Sequence, residues 1–230
     1  MDKERIIVSL TTWAPRIMNI PAVLDSIFSQ TVKPDKVVLN LSEGEYVPPA
    51  VNEYLRTHEV EVCFVPDTKV YKKLVPTLKR YPQDCVITVD DDWIYPSGMI
   101  EDFMTVHREF PDNPISGNRA VYHGNSCHCG CASLMKLKWL GSYIGHIDAA
   151  LMKNCPCDDL VYTFFAKRNG YRYVHTHGLY FTNMQSYCSS EPYSESDEDR
   201  QSGTWNYLVM NFGTFWEKFV QIIRKRKRRF

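Results

Sequence analysis

Apolar residues in this chain come in two patterns that alternate: short unbroken runs and stretches of helical spacing. Arg5-Ile6-Ile7-Val8-Ser9-Leu10 is a β-branched run that predicts a strand buried on both faces and ending at Thr11-Thr12. Positions 20, 23, 24, 27 and 28 then repeat with helical spacing, with Pro21 suited to a first turn. Lys36 to Leu41 predicts a second strand, Pro48-Pro49 with Val51, Tyr54 and Leu55 a second helix, and Val60 to Val65 a third strand. Tyr71, Leu74, Val75 and Leu78 have helical spacing again, but Pro76 lies inside that segment. A fourth strand over Cys85 to Val89 precedes Ser97, a candidate N-cap, and an inward stripe of Ile100, Phe103, Met104 and His107. His107 reads there as a packed or surface histidine rather than a ligand.

Strand–helix alternation to about residue 110 predicts an α/β, Rossmann-like, mostly parallel sheet with helices on both faces. In such sheets ligands sit at the carboxyl ends of the strands. The pattern loosens afterwards. Ile115 to Tyr122 and Tyr171 to His177 predict strands, separated by a Cys- and Gly-rich loop and two helical segments. Residues 189–203 hold five acids without apolar periodicity and read as a mobile loop. From Trp205 the chain is amphipathic and ends in a basic tail. The divisions are therefore 1–203, made of 1–112, a less regular 113–188 and the acidic 189–203, followed by 204–230.

Composition narrows the class. With 44% hydrophobic and 23% charged residues in 230, the chain is an ordinary soluble domain with one sizeable core. The formal charge is zero, but six of the 27 basic side chains lie in Arg224 to Arg229, leaving 21 against 27 acids elsewhere. No basic stripe with interleaved aromatics runs through the body, which argues against nucleic acid as a partner. Met-Asp-Lys-Glu-Arg leads straight into a strand, and no apolar run approaches the roughly 18 residues of a membrane span. A cytoplasmic protein with reduced thiols is the expectation. Five of eight cysteines cluster at Cys127, Cys129 and Cys131 and at Cys155 and Cys157, but C-x-C is tighter than usual zinc spacing.

The candidate chemistry is acidic. Asp90-Asp91-Asp92 ends the fourth strand, and three adjacent carboxylates repel one another unless a cation neutralises them. Oxygen-only ligation suits Mg²⁺ or Mn²⁺, which share coordination with substrate phosphates. Asp158-Asp159 opens a helix with Leu160, Val161, Phe164 and Phe165 as its apolar positions. An acidic pair there serves either as a proton acceptor or merely as a complement to the helix dipole.

Four stretches in order carry a family likeness: Ile6-Ile7-Val8-Ser9-Leu10-Thr11-Thr12; Leu24 to Val37 with its Gln30-Thr31-Val32-Lys33-Pro34 link; Tyr71-Lys72-Lys73-Leu74-Val75-Pro76-Thr77-Leu78 followed by Asp90-Asp91-Asp92; and Cys157-Asp158-Asp159-Leu160-Val161. Together they resemble the GT-A fold glycosyltransferases, especially small bacterial members acting in polysaccharide assembly. The resemblance implies a nucleotide-diphosphate sugar donor, most simply a UDP-sugar, and inverting transfer to a saccharide or lipid-linked glycan. It implies donor contacts from Thr11, Thr12, Arg16, Lys73, Asp90 and Asp91, with Asn40 or Glu43 in the place of the family's uracil-binding acid. Asp92 would ligate Mn²⁺ or Mg²⁺ with help from Asp90, His177 would be a further ligand, and Asp159 the base. A lipid-linked acceptor would bring the enzyme to the inner face of the plasma membrane, with Trp205, Trp216, Phe219 and the basic tail making peripheral contact. Two readings compete: a haloacid-dehalogenase-like phosphatase, which normally begins with its D-x-D strand, and an inactive GT-A-like binding subunit. A nucleotidyltransferase would want a glycine-rich turn after the first strand, and Ser9 to Arg16 contains no glycine.

Overall fold

The computed structural model describes residues 4–117, 120–122, 125–127, 132–176, 182–183, 197–214 and 217–218. In chain order the strands are β1 (Ile6–Thr11), β2 (Lys36–Ser42), β3 (Glu61–Val65), β4 (Cys85–Val89), β5 (Trp93–Ile94), β6 (Ile115–Ser116), β7 (Ala120–Tyr122), β8 (Asn125–Cys127), β9 (Ala132–Met135), β10 (Val174–His175) and β11 (Thr182–Asn183). The helices are α1 (Ile20–Phe28), α2 (Pro49–Thr57), α3 (Val75–Arg80), α4 (Met99–Glu109), α5 (Leu137–Leu140), α6 (Ala149–Asn154), α7 (Asp158–Arg168) and α8 (Asp197–Phe212). Single 3₁₀ segments cover Ala14–Asn19, Lys69–Lys73 and Gly141–His146.

Seven strands form the central sheet in the order β10-β6-β9-β4-β1-β2-β3. Every pairing is parallel except the two made by β9, which runs antiparallel to β4 and β6. Consecutive residues of β1, β2 and β4 are buried, so both faces of the sheet are covered and the apolar runs need no alternation. From β1 the chain adds β2 and β3 on one side, then crosses to place β4 on the other. The carboxyl ends of β1 and β4 therefore flank a topological switch point, where α/β sheets hold ligands.

Several expected elements change shape. Pro76 divides the 71–78 segment into the 3₁₀ turn Lys69–Lys73 and α3, where the proline is accommodated at the helix start. Ser97 does not cap α4: its cap position is Gly98, without a side-chain cap bond. Gln30 does that work from a distance. Its Oε1 accepts from the Ile100 N–H at 3.0 Å, and its Nε2 donates to the carbonyl of Pro96 at 2.8 Å. The Gln30-Thr31 link thus clamps α1 to the segment that follows the acid triplet, with the Thr31 N–H bonded to the Ser97 carbonyl at 2.8 Å.

The less regular 113–188 part holds short strands, and β6 and β10 keep two residues each of the longer runs expected there. Residues 197–203, expected in an acidic loop, open α8 instead, because the apolar positions beyond them dock on the domain. Leu208 and Val209 belong to the main core, Phe212 packs edge-to-face on Phe165 with centroids 5.1 Å apart, and Thr204 is buried. The first part of 204–230 is therefore core rather than a separate amphipathic segment. Phe215, Trp216, Phe219 and the basic run Arg224–Arg229 lie outside the residues described. Among the described residues no helix is long and apolar enough to cross a membrane.

Candidate active site

A cleft of about 640 Å³ opens at the carboxyl ends of β1 and β4. Thr11, Thr12, Arg16, Lys73 and the triplet Asp90–Asp92 all line it, so the sequence-predicted donor contacts meet at one place, Asn40 and Glu43 excepted. The triplet is a tight turn leaving β4, and the fold treats its three identical side chains differently. Asp91 turns inward: Thr12 donates to its Oδ2 at 2.6 Å and Arg16 Nη1 lies 3.3 Å from its Oδ1. Burial, helped by the neighbouring Asp92 and Asp90, pushes its carboxyl up to about 6 against the pull of Thr12 and Arg16. Asp92 and Asp90 keep 26% and 30% of their side chains exposed. Arg16 Nη1 pairs Asp92 at 2.8 Å and Lys73 Nζ pairs Asp90 at 3.0 Å. Burial and the charge of Asp90 raise the Asp92 carboxyl. The repulsion expected of three adjacent acids is thus met in part by the chain's own Arg16 and Lys73.

The donor set fits a hard divalent cation held by one or two carboxylates and shared with a ligand's phosphates, since Asp90 and Asp92 keep exposed carboxylate surface at the cleft while Asp91 is buried and taken up by Thr12 and Arg16. Among the described residues the triplet does not form a three-ligand group. The group whose ligand atoms lie within 4.8 Å of one another is Glu4, Cys85 and His107, at the opposite end of β4, where Lys136 and His107 already serve Glu4. His107 is buried, beside Trp139, as the sequence suggested. His177 lies outside the residues described, as do Cys129 and Cys131. Cys155 and Cys157 are free thiols whose pKa burial pushes up to about 12 and about 11.

The second acidic element reaches the same place through Lys73. Asp158 and Asp159 occupy the first turn of α7, whose cap position is Cys157 and carries no side-chain cap bond. Lys73 Nζ stands 3.4 Å from Asp158 Oδ2 while holding Asp90, so one buried ammonium touches both acid sets. Burial works against that charge, but Asp158, Asp90 and Asp159 together keep Lys73 firmly protonated. Burial raises the Asp158 carboxyl, with Lys73 opposing. Asp159 is pushed well above the usual carboxylate range by burial and by the Asp158 charge beside it. A carboxyl so raised is a stronger proton acceptor once ionised.

Asn40 is a correction. Its amide donates to Thr77 Oγ1 at 2.9 Å and to Ser9 Oγ at 3.2 Å, 1% exposed, in a network in which Ser9 also donates to the Lys73 carbonyl at 2.6 Å. A polar side chain at that buried register of β2 is used up by these partners, so it fastens the Lys69–Lys73 turn to the sheet and does not face the cleft. Sequence reasoning missed Asp67, Lys69 and Lys72, which line the cleft past β3, and Trp13, Trp93 and Arg200. Lys72, buried, bonds Asp67 and Ser42, each at 2.8 Å, and Lys69 bonds Asp67 at 2.9 Å. Against partial burial these two lysines hold the Asp67 carboxyl well below its usual range. Lys69 adopts φ 55°, a left-handed conformation that is strained for a residue with a side chain. An acid two residues past a strand, followed by paired lysines, was the available signal. Arg200 had none, since only the docking of α8 brings it to the cleft.

No family model matches the chain, and no curated protein matches it. Solved structures do. Mannosyltransferase PcManGT from Pyrobaculum calidifontis, in complex with GDP-Man and Mn²⁺, superposes with TM-score 0.55 at 19% identity over 76% of this chain and 55% of its own. S. aureus TarS 1–349 in complex with UDP-GlcNAc gives TM-score 0.60 at 13% identity over 90% of this chain and 66% of its own. The chain has the GT-A fold. A 4-diphosphocytidyl-2C-methyl-D-erythritol synthase is similar too, with TM-score 0.51 and 10% identity over 83% of this chain and 95% of that one. This GT-A chain spans a little over half of the mannosyltransferase and about two thirds of TarS 1–349. At such identities the likeness is one of fold, and the chemistry of the GT-A cleft rests on its own residues.

Proposed function

We propose that the chain is a metal-dependent, inverting glycosyltransferase that moves a hexosyl group from a nucleotide-diphosphate sugar to a hydroxyl of a saccharide or lipid-linked glycan. The observation that carries this reading is the meeting of two acid sets at one ammonium: Lys73 lies 3.0 Å from Asp90 and 3.4 Å from Asp158. Cleft carboxylates for a diphosphate-bound cation, joined through Lys73 to a helix start that carries a raised carboxyl, are the two things that displacement at an anomeric carbon needs.

In this reading Thr11, Thr12 and Arg16 border the diphosphate, and Asp92 with Asp90 holds Mn²⁺ or Mg²⁺. That cation, when bound, supplies positive charge to the departing diphosphate. Asp91 keeps the turn in shape through Thr12. Asp159 takes the proton of the acceptor hydroxyl as that oxygen bonds to the anomeric carbon and the nucleoside diphosphate leaves. Asp67 and Lys72, rather than Asn40, lie where a base would reach past β3, and a UDP-sugar is the donor we favour. A lipid-linked acceptor carries with it peripheral contact at the cytoplasmic membrane face through Trp216, Phe219 and the basic tail.

A panel of UDP- and GDP-sugars, each with Mn²⁺ or with EDTA, tests the reading. Acceptor-dependent release of nucleoside diphosphate that EDTA abolishes is expected. Full activity in EDTA would overturn the metal requirement. Pyrophosphate release from a nucleoside triphosphate and a sugar phosphate would mean that the fold serves nucleotidyl transfer instead.

A further inference from the structure

Donor and base are not electrically independent here. Lys73 comes from the turn before α3, Asp90 from the end of β4 and Asp158 from the first turn of α7, three elements far apart in sequence. The ammonium is 8% exposed and stands within 3.4 Å of both carboxylates. Its backbone is fixed from behind, where Ser9 bonds the Lys73 carbonyl and Asn40 and Thr77 complete the network. So the side chain has a rigid base and two competing partners.

We propose that Lys73 is a positioning residue that couples donor occupancy to the acceptor base: its ammonium, shared between Asp90 and Asp158, serves the Asp158–Asp159 pair alone once the donor's cation-bound diphosphate engages Asp90. This rests on the glycosyltransferase reading and adds an order of events to it. With the ammonium shared, burial and the Asp158 charge raise the Asp159 carboxyl and hold its proton to higher pH than an ordinary carboxylate keeps one. The groups whose charge bears on Asp159 are Asp158, Lys73 and Asp90, with Cys157, Tyr162 and Tyr173 around it; the phenols and the thiol stay neutral in this range. Lys73 is therefore the cation that sets its state. When Lys73 serves Asp158 alone, Asp159 gives up its proton and becomes a competent base.

The test reads protons, not turnover. Preformed Mn²⁺–UDP is titrated calorimetrically into the protein at about pH 7.5 in buffers of different ionisation heat, and proton release follows from the difference. Wild type is expected to release up to roughly one proton more than Asp159→Asn, which still binds. Lys73→Arg should retain most of this release. Lys73→Met should lose it, and the acidic limb of its kcat profile should move up by roughly one pH unit or more. Equal release from wild type and Asp159→Asn would assign the proton to Asp91 or Asp92 and overturn the coupling, as would binding with no release. The wild-type and Asp159→Asn comparison stands even if Lys73→Met fails to fold. A wild type that transfers sugar but shows no Asp159-dependent release would overturn the coupling alone. One that neither binds Mn²⁺–UDP nor transfers would overturn the functional reading as well.

Discussion

The two acid sets joined by Lys73 use the same side chain to opposite ends. Asp90 and Asp92 leave a strand, keep about a quarter to a third of their side chains in solvent and pair with Lys73 and Arg16. Asp158 and Asp159 open a helix and are driven towards the protonated form by burial, with the Asp158 charge adding to it at Asp159 and the Asp90 charge at both. Exposure with a cation nearby suits a carboxylate to hold metal and phosphate. Burial beside a like charge suits one to carry a proton. What separates them is environment, so substitutions at the two sites should fail in different ways.

The largest loss is expected at Asp92. Asp92→Asn leaves the apolar residues of β4 untouched, and transfer should fall by about 10³-fold or more, with weakened metal–nucleotide binding and little change in melting. Asp159→Asn should lower kcat by about 10²–10⁴-fold with donor binding near wild type. If only its melting temperature changed, the acid pair would be serving the helix dipole and nothing more.

Next in size is a break at α8, the element that packs on α7. Truncation after Gly203 removes Leu208 and Val209 from the core and should unfold or strongly destabilise the domain, as thermal melting would record. Truncation after Thr214 keeps both and should leave melting and soluble-acceptor activity intact. If the segment beyond makes membrane contact, this shorter cut is also the one that abolishes binding to anionic vesicles.

Asp91 gives a smaller, pH-dependent signature within the strand-end triplet. Its folded pKa, about 6, lies above its unfolded value, so the folded state binds the extra proton between the two. Stability should therefore fall as pH rises from about 4 to about 6 in EDTA, and Asp91→Asn should flatten that segment of the curve. The smallest effects concern the clamp behind the triplet. Gln30→Ala should cost about 1–2 kcal/mol in denaturant unfolding, through the unpartnered Ile100 N–H, and Ser97→Ala less than about 0.5 kcal/mol.

The sheet and its acid triplet were readable because strands buried on both faces write themselves as unbroken apolar runs, and because the triplet follows directly on one of them. The roles within the triplet were not readable. Asp90, Asp91 and Asp92 are identical letters, and only Thr12 and Arg16, nearly eighty positions upstream, turn the middle one inward. Ser97 looked like a cap on local grounds but lost the position to Gln30, seventy residues away. Asn40 sat at the right strand end for a base contact, yet its register put it among Ser9 and Thr77. The acidic run from 197 looked like a loop because its own residues lack periodicity; the helix is held by Leu208 and Val209 further along. Each of these outcomes was decided by tertiary partners, which no local window contains.

Calorimetric titration of Mn²⁺–UDP into wild type, Asp92→Asn and Asp159→Asn, with transfer measured on the same preparations, tests the division of labour most directly. The account expects Asp92→Asn to lose both binding and transfer, and Asp159→Asn to lose transfer while binding as wild type does. Wild-type binding in Asp92→Asn, or lost binding in Asp159→Asn, would contradict it.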